Sequence, residues 1–364
     1  MTINSKDKIV VAQGPILSIC IPTFNRAKSL VHLLGQIQSF DFDLKGSLEI
    51  CVSNNCSTDN TDEVIRSFKE TTPGVKYIVQ SQNIGGSFNV GEVVKQATAK
   101  YILLCGDDDL INVADLVNLI KMLRLEPGGN WYILNGGFFR WNPIANLCSR
   151  MAFSLGPFTS KIYITLVGLS SLGFLGTHVM PQSVVYCIKE QKVLNGWPSI
   201  AYLLSYLSNP KATCLKLSSL QVVNQSASGV LLFWYPDEIF RVALGRVRTI
   251  KLILRPNHKV LWCLLVLREI FAPVLIFYVL NIRCMYGRDG YKKYQMAVSE
   301  VFDDGCKFET AAFRLQSAIA WLIMVLPEPC LDLMVPLSIR RKISDLNERA
   351  RNVDKSLNGL SRGL

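Results

Sequence analysis

Short apolar runs alternate with longer amphipathic stretches along the first 125 residues of the chain. The runs are Ile16–Ile21, Leu48–Ser53, Val75–Val79 and Tyr101–Cys105. Such runs predict buried strands, and the apolar residues between them recur three or four positions apart, which is the spacing of one helix face. Strands that alternate with helices in this way predict βαβ units. The expected fold class is therefore α/β, with a mostly parallel sheet flanked by helices.

Polar clusters follow three of the predicted strands, at Pro22–Arg26, Asn54–Thr61 and Asp107–Asp109. We expect Pro22 to end the first strand, because proline cannot donate to a sheet ladder. Ligands of open α/β sheets bind beyond the carboxyl ends of the strands, so we expect the three clusters to lie at one edge. The first turn has neither a Gly-x-Gly-x-x-Gly sequence nor a P-loop, which argues against a dinucleotide dehydrogenase and a P-loop enzyme.

Asp107, Asp108 and Asp109 form a run of three acids directly after Gly106. Adjacent carboxylates repel one another unless a cation or a polar network lies between them. Oxygen ligands that leave coordination positions open suit Mg²⁺ or Mn²⁺ shared with substrate phosphates. The run therefore predicts a metal-diphosphate site. The alternative is a solvated acidic turn that caps the next helix, since helix N-termini favour acids.

Four motifs in order carry a resemblance to a known family. Ser18–Arg26 (Ser-Ile-Cys-Ile-Pro-Thr-Phe-Asn-Arg), Val52–Thr61, Asn83–Gly86 and Gly106–Asp109 resemble the successive motifs of family 2 glycosyltransferases. The Gly-Asp-Asp-Asp-Leu form is similar to that of O-antigen sugar transferases, the abequosyltransferase-like group. The resemblance covers roughly residues 16–125, about a third of the chain.

The resemblance implies a GT-A fold, a nucleotide-diphosphate sugar donor and a divalent cation, Mg²⁺ or Mn²⁺. It implies metal ligands among Asp107, Asp108 and Asp109. The implied donor-binding residues are Pro22, Thr23, Asn25, Arg26, Asn54, Asn55, Asn83, Asp107 and Asp108.

The motifs depart from the family pattern in two places. Asn54 stands where the family usually has an aspartate that reaches the base or ribose. An asparagine can still form hydrogen bonds there, but the charge is lost. The usual Asp-x-Asp sequence aligns either with Gly106–Asp108 or, shifted by one residue, with Asp107–Asp109, so the acid that contacts the metal stays open.

The catalytic base is not identified by the sequence. Inverting members of the family usually carry an acid in a stretch that matches Asn195–Tyr202, which has none. Glu190, Asp237 and Glu238 are the nearest acids, and none is assigned. His178 is a candidate polar contact on the acceptor side, although a structural histidine is the favoured interpretation.

Charge is distributed unevenly along the 364 residues. The net charge is +11, yet the first 150 residues carry 14 basic and 14 acidic side chains, so the whole excess follows residue 150. Such an excess indicates an anionic partner, nucleic acid or a membrane surface. The eleven cysteines include no Cys-x-x-Cys pair, which argues against zinc and favours free thiols in a reducing compartment. The start of the chain lacks the apolar segment of a secretory signal, so we expect a cytoplasmic protein.

The last third of the sequence predicts helices on a membrane surface. Arg241, Arg248, Lys251 and Arg255 would share one helix face. The apolar stretch Val260–Leu280 follows, and Arg268, Glu269 and Pro273 interrupt it. We expect an interfacial position that leaves both charges in water, rather than a span. Four aromatic side chains would then face the lipid: Trp262, Phe271, Phe277 and Trp321.

These observations predict four segments: a tail at 1–14, a GT-A transferase domain at 15–225, a helical membrane-associating region at 226–343 and a polar tail at 344–364. The predicted activity is transfer of a sugar to a saccharide or polyprenyl-linked acceptor in surface-polysaccharide or O-antigen biosynthesis. We expect a peripheral position on the inner face of the cytoplasmic membrane, with anionic lipids and no nucleic acid as partners. The alternatives are a nucleotide-sugar-binding membrane scaffold without turnover and a sugar nucleotidyltransferase of related fold.

Overall fold

The chain forms two compact units, one of Met1–Val167 with Ser171–Ser226 and one of Gly168–Ser170 with Ala227–Leu364. The finer segment limits expected from the sequence stay predictions. The structure, a computed structural model, describes residues 14–39, 46–126, 128–135, 153–155, 157–167, 169, 172–188, 197–209, 211–217, 220–224, 236–254, 258–271, 273–299, 307–327 and 330.

The first unit is built on a mixed, mostly parallel sheet. Its described strands run in the spatial order β3-β2-β1-β4-β8-β6-β9-β7, and a separate small ladder joins β5 to β10. The strands are β1 Leu17–Thr23, β2 Leu48–Asn54, β3 Val75–Val79, β4 Tyr101–Leu104, β5 Leu110–Ile111, β6 Trp131–Ile133, β7 Phe153–Leu155, β8 His178–Pro181, β9 Cys214–Lys216 and β10 Val223–Asn224.

Helices of the first unit bury apolar faces against this sheet. Helix α1 buries side chains three and four positions apart, Leu30, Leu33, Leu34 and Ile37. The described helices are α1 Ala27–Gln38, α2 Thr61–Thr71, α3 Gly86–Lys95, α4 Val113–Leu125, α5 Pro157–Val167 and α6 Pro198–Leu207. The predicted α/β class, a mostly parallel sheet flanked by helices, is confirmed.

Strand register brings the polar strand ends together. In the parallel pair β1 and β2, Pro22 lies opposite Ser53 and Thr23 lies opposite Asn54, so both strands end at the same level. The expected strand end at Pro22 is wrong by one residue, since β1 continues to Thr23. Strand β4 runs parallel to β1 on its other side. Beyond β4 the parallel arrangement ends, because β8 runs antiparallel to both of its neighbours, β4 and β6. The acidic run therefore follows the last strand of the parallel part.

The second unit is helical where the structure describes it. Its helices are α7 Pro236–Leu254, α8 Lys259–Ile270, α9 Pro273–Tyr286, α10 Gly290–Ser299 and α11 Lys307–Val325. The predicted helical C-terminal region is confirmed, whereas its association with a membrane stays a prediction. Among the described residues, no helix combines the length and the apolar character that a membrane span requires.

Three expectations for this unit are wrong. Glu269 is fully buried rather than in water, and its Oε2 lies 2.7 Å from Nε of the buried Arg246. Lys251 is only 9% exposed, so it does not belong to a wet basic face. Trp262 is 6% exposed and packs inward, because helix packing turns that part of α8 away from solvent. The side chains of Arg241, Arg255 and Phe277 lie outside the described part.

Candidate active site

The loops that follow β1 and β2 are tied together through Asn25. Its backbone N–H donates to Ser57 Oγ at 2.8 Å, and the N–H of Thr58 donates to Asn25 Oδ1 at 2.8 Å. Asn25 has a φ of 53°, in the left-handed region that asparagine tolerates better than most residues. The Asn25 side chain is thus a bridge between two loops.

The same pair of loops caps the N-terminus of α1. The N–H of Ala27 donates to Asp59 Oδ2 at 3.1 Å, and the N–H of Arg26 donates to Thr61 Oγ1 at 3.2 Å. Asp59 Oδ1 also accepts the N–H of Thr61 at 3.1 Å. The free N–H groups of a helix start need such acceptors, so the second loop holds the first in place.

Asn54 is buried at 1% exposure, and both the oxygen and the nitrogen of its amide form hydrogen bonds. Its Oδ1 accepts the N–H of Ser57 at 2.9 Å, and its Nδ2 donates to the hydroxyl of Tyr77 at 3.1 Å. Tyr77 in turn donates to Asp62 at the start of α2. An aspartate at position 54 could not donate to Tyr77, so this network fits asparagine. Contact of Asn54 with a nucleoside stays a prediction.

Asn55 and Asn83 join the second loop to the turn before α3. Asn55 Nδ2 donates to Asn83 Oδ1 at 2.9 Å, and the N–H of Ile84 donates to Asn55 Oδ1 at 2.9 Å. The N–H of Gly85 also donates to Asn83 Oδ1 at 2.9 Å. Both asparagines therefore hold backbone at the same edge of the sheet.

The three acids after β4 do not have equivalent surroundings. Asp109 is 5% exposed, and its Oδ2 accepts the N–H of Gly106 at 2.8 Å. A Cβ at position 106 would lie 2.7 Å from that oxygen, so a larger residue there would displace the Asp109 carboxylate. Burial raises the pKa of Asp109 to about 7, and the charges of Asp108 and Asp107 add to the rise. Asp109 is thus turned inward against its own loop.

Asp107 lies at the meeting point of β4 and the turn after β1. It keeps some contact with solvent, yet desolvation raises its pKa to about 6, and the nearby Asp108 adds to the rise. Thr23, Arg26 and the backbone of Phe24 oppose that rise. All three belong to the first polar cluster, so the acidic run and the turn after β1 lie side by side.

The donor set here fits a divalent cation that is shared with a ligand. Among the described residues, no group of three or more His, Cys, Asp or Glu side chains converges as a metal cage. Asp107 and Asp108 repel each other, and a cation would remove that cost. The buried Thr23 hydroxyl beside them makes no well-formed hydrogen bond within the described part of the chain. Two carboxylates that need further oxygens suit Mg²⁺ or Mn²⁺ bound with phosphates.

Residues 18–166 match the family model described as Glycosyl transferase family 2. The chain carries a family 2 glycosyltransferase domain. The predicted resemblance is therefore confirmed. Abequosyltransferase RfbV of Salmonella typhimurium is 35% identical over 100 residues, which are 26% of this chain and 29% of the relative.

A second relative of this domain comes from Campylobacter jejuni. It is a GalNAc(5)-diNAcBac-PP-undecaprenol beta-1,3-glucosyltransferase, 33% identical over 108 residues, which are 29% of this chain and 34% of the relative. The chain thus matches about a third of the length of these two relatives.

The family 2 domain also has the fold of solved glycosyltransferases. Mannosyltransferase PcManGT of Pyrobaculum calidifontis, solved with GDP-Man and Mn²⁺, superposes with a TM-score of 0.52 at 15% identity. The superposition covers 92% of this chain and 88% of that one. At this identity the likeness shows the fold alone, and it confirms the GT-A type.

His178 is a structural residue of the family 2 unit. It is fully buried, its Nδ1 accepts the indole N–H of Trp131 at 3.1 Å, and its Nε2 lies 2.6 Å from the carbonyl oxygen of Leu172. Burial lowers its pKa to about 4, so the ring is neutral at physiological pH. The favoured interpretation of His178 as a structural histidine agrees with these contacts. Glu190 and the side chains of Asp237 and Glu238 lie outside the described part, so none of them is assigned as the catalytic base.

Sequence reasoning missed several supporting residues of this site. Ser57, Thr58 and Asp59 were recognised only as part of a polar cluster, although each bonds the turn after β1. The signal was present, because a dense run of short polar side chains often bonds nearby backbone. Tyr77 and Asp62 gave no signal, since their contact with Asn54 joins separate elements.

Proposed function

We propose that the protein is a glycosyltransferase that moves a sugar from a nucleotide-diphosphate sugar to a saccharide acceptor. One observation carries the proposal most strongly. Within a family 2 domain, Asp107 lies beside the turn after β1, and its pKa is raised by desolvation and by the neighbouring Asp108. Such a site gains from a cation and from a ligand that brings further oxygen atoms.

The residues at the three strand ends have separate roles in this proposal. Asp107 and Asp108 would hold Mg²⁺ or Mn²⁺ against the diphosphate of the donor, while Asp109 keeps the Gly106 turn closed. When bound, the cation supplies charge neutralisation for the departing nucleoside diphosphate. Pro22, Thr23 and Arg26 would line the donor pocket.

The asparagines of the loops that follow β1 and β2, and of the turn before α3, complete the donor site. Asn25 bridges the two loops, Asn54 and Asn55 hold the second loop, and Asn83 holds the turn before α3. An amide group can form several hydrogen bonds at once, so these side chains could bond a nucleoside in addition to the protein. The donor pocket is in this sense pre-organised by contacts within the protein.

The acceptor that we propose is a lipid-linked saccharide of surface-polysaccharide or O-antigen type. Two relatives support this choice: one is named as an abequosyltransferase, and the other is named for an undecaprenol-linked acceptor. An enzyme with such an acceptor works at a membrane surface. We therefore also propose a peripheral position on the inner face of the cytoplasmic membrane, next to anionic lipids.

A donor screen tests the proposal directly. Nucleotide sugars with different bases are added to the full chain with Mn²⁺, and melting is followed. A donor at a hundredfold excess over its dissociation constant should stabilise the protein by about 2.7 kcal/mol. The best donor is then incubated with and without a polyprenyl-linked saccharide, and release of nucleoside diphosphate is measured.

Acceptor-dependent release that chelation abolishes supports transfer. Donor binding without any release, across the acceptors tried, contradicts the enzyme and favours the scaffold without turnover. Release of pyrophosphate from a nucleoside triphosphate and a sugar phosphate would instead assign nucleotidyl transfer.

A further inference from the structure

The outward face of α11 is apolar along most of the helix. Leu315, Trp321, Leu322 and Val325 are between 40% and 58% exposed. Arg314 is the charged residue among the exposed side chains described on this helix, and the remaining exposed positions are alanines. A helix that faces water normally carries polar and charged residues on its outward side, so this face is unusual for a solvated surface.

Helix α8 has a similar outward stripe. Val260, Leu264 and Leu267 are 75%, 49% and 37% exposed, at positions four and three residues apart. That spacing places them along one side of the helix. Helices α8 and α11 are in contact, and Gln316 Nε2 donates to the carbonyl oxygen of Ile270 at 2.9 Å. Two packed helices of this unit therefore both turn apolar side chains outward.

Polar groups of the same helices are turned inward. Glu269 of α8 is fully buried and bonds Arg246 at 2.7 Å as well as the N–H of Leu169 at 2.8 Å. Gln316 of α11 is 3% exposed and accepts the hydroxyl of Tyr294 at 3.3 Å. The helices thus bury hydrogen-bonded polar groups and expose Leu, Val and Trp. Exposed apolar patches of this kind mark surfaces for partners or lipids.

Exposed charges on the same unit have one dominant sign. Among the side chains whose exposure the structure describes there, one exposed acid is present, Asp289. The exposed basic residues are Arg248, Lys259, Arg288, Lys292, Lys293 and Arg314. Basic residues beside an apolar helix face are attracted to anionic lipid headgroups. A second copy of the chain would bring like charges together, which opposes association.

We infer that the outward faces of α8 and α11 dock on an anionic lipid bilayer. The inference rests on the proposed function, and it names the surface that would hold the enzyme near a lipid-linked acceptor. The apolar stripes lie at the boundary between headgroups and acyl chains, and the basic side chains contact the headgroups. This surface differs from the basic face of α7 expected from the sequence, where Lys251 is buried.

Flotation of the full chain with vesicles tests the docking surface. Vesicles of phosphatidylcholine with phosphatidylglycerol are compared with vesicles of phosphatidylcholine alone. The double variant Leu264→Gln/Leu322→Gln should bind the anionic vesicles about tenfold or more weakly, because two partly exposed apolar side chains lose their transfer to lipid. The variant Lys292→Gln/Lys293→Gln should weaken binding only to the anionic vesicles, and added salt should do the same.

A matched control uses exposed apolar residues of the first unit. Val31→Gln/Leu125→Gln changes side chains that are 54% and 81% exposed, and it should bind vesicles as the unchanged protein does. Each variant is checked for an unchanged melting temperature. The inference is overturned if the unchanged protein does not float with anionic vesicles, or if the Leu264/Leu322 variant floats equally well.

Two further measurements separate the other outcomes. A concentration-dependent dimer that the Leu264/Leu322 variant abolishes, without vesicle binding, would assign the surface to a second copy and overturn the inference. Transfer to a water-soluble acceptor should be unchanged in that variant and reduced only for acceptor in vesicles. If the unchanged protein transfers to neither acceptor, the proposed function fails, while the flotation result still decides the docking surface.

Discussion

Asp107 in the first unit and Glu269 in the second are both carboxyls withdrawn from water, but their neighbours differ. Glu269 has an arginine partner at 2.7 Å and a backbone N–H at 2.8 Å. Asp107 has another acid beside it, and its pKa rises to about 6. A buried charge with its counterion inside the fold is a structural element. A desolvated carboxyl beside a like charge is better explained by a ligand that arrives from outside.

The largest expected effect is the loss of stability when the buried ion pair of the second unit is broken. Glu269→Leu should destabilise the protein by about 3–5 kcal/mol, because it removes the carboxylate that pairs with the buried Arg246 guanidinium. The double variant Arg246→Met/Glu269→Leu should lose less than that single change, since it places no charge in the core at either position. Denaturant unfolding measures both variants. As a control, Arg66→Ala removes an exposed ion pair with Asp62 and should leave stability unchanged. A double variant as unstable as the single one would contradict the structural role of the pair.

Removing an acid after β4 in the first unit should lower activity rather than stability. Asp108→Ala and Asp107→Ala should each lower transfer about 10²- to 10³-fold, the loss typical of removing one group that stabilises developing charge. Both should keep the fold and lose most of the stabilisation that Mn²⁺ gives, which thermal melting measures with and without the ion. Glu63→Gln, an exposed acid on α2, is the control. Normal metal-dependent turnover in the Asp108 variant would contradict the proposed role of Asp108 as a metal ligand.

Asp109 should make the stability of the first unit depend on pH. Its pKa rises from an ordinary value near 4 to about 7 on folding. The folded state therefore holds the proton more tightly, and ionisation of this group lowers stability as the pH rises from about 4 to 7. Asp109→Asn keeps an acceptor for the Gly106 N–H, so it should stabilise the protein by about 1–4 kcal/mol at pH 8 and hardly at pH 4. Unfolding at both pH values measures this, and equal effects would refute the assignment.

A substitution in the loop that follows β2 should cause the smallest change in stability or donor affinity. Asn54→Leu removes the acceptor of the Ser57 N–H and the donor to Tyr77. The expected loss is about 1–3 kcal/mol in stability or donor affinity, the cost of unpaired buried polar groups. Tyr77→Phe removes one of these bonds and should cause a smaller part of the same loss. Titration with the best donor measures affinity, and an unchanged dissociation constant would remove Asn54 from the site.

Much of the first unit could be predicted from local patterns. The alternation of apolar runs with helical spacing is a property of neighbouring residues, so it located β1 to β4 and the helices between them. The ends of parallel strands meet at one edge for geometric reasons, so the polar clusters could be placed together as well. The family motifs lie in these clusters, and the family 2 domain was therefore recognisable from the sequence.

The sequence by itself thus determined the order of the elements, the parallel part of the sheet and the residues at its edge. The tertiary structure decided which distant residues and strands contact one another. It turned Asp109 inward to Gly106, joined Asn54 to Tyr77, placed β8 antiparallel between β4 and β6, and buried Glu269 against Arg246. Periodicity along a chain reports which side of an element is buried, whereas a hydrogen bond or ion pair between distant residues depends on how whole elements pack. For this reason Glu269, a break in an apolar run by sequence, is part of the core in the folded chain.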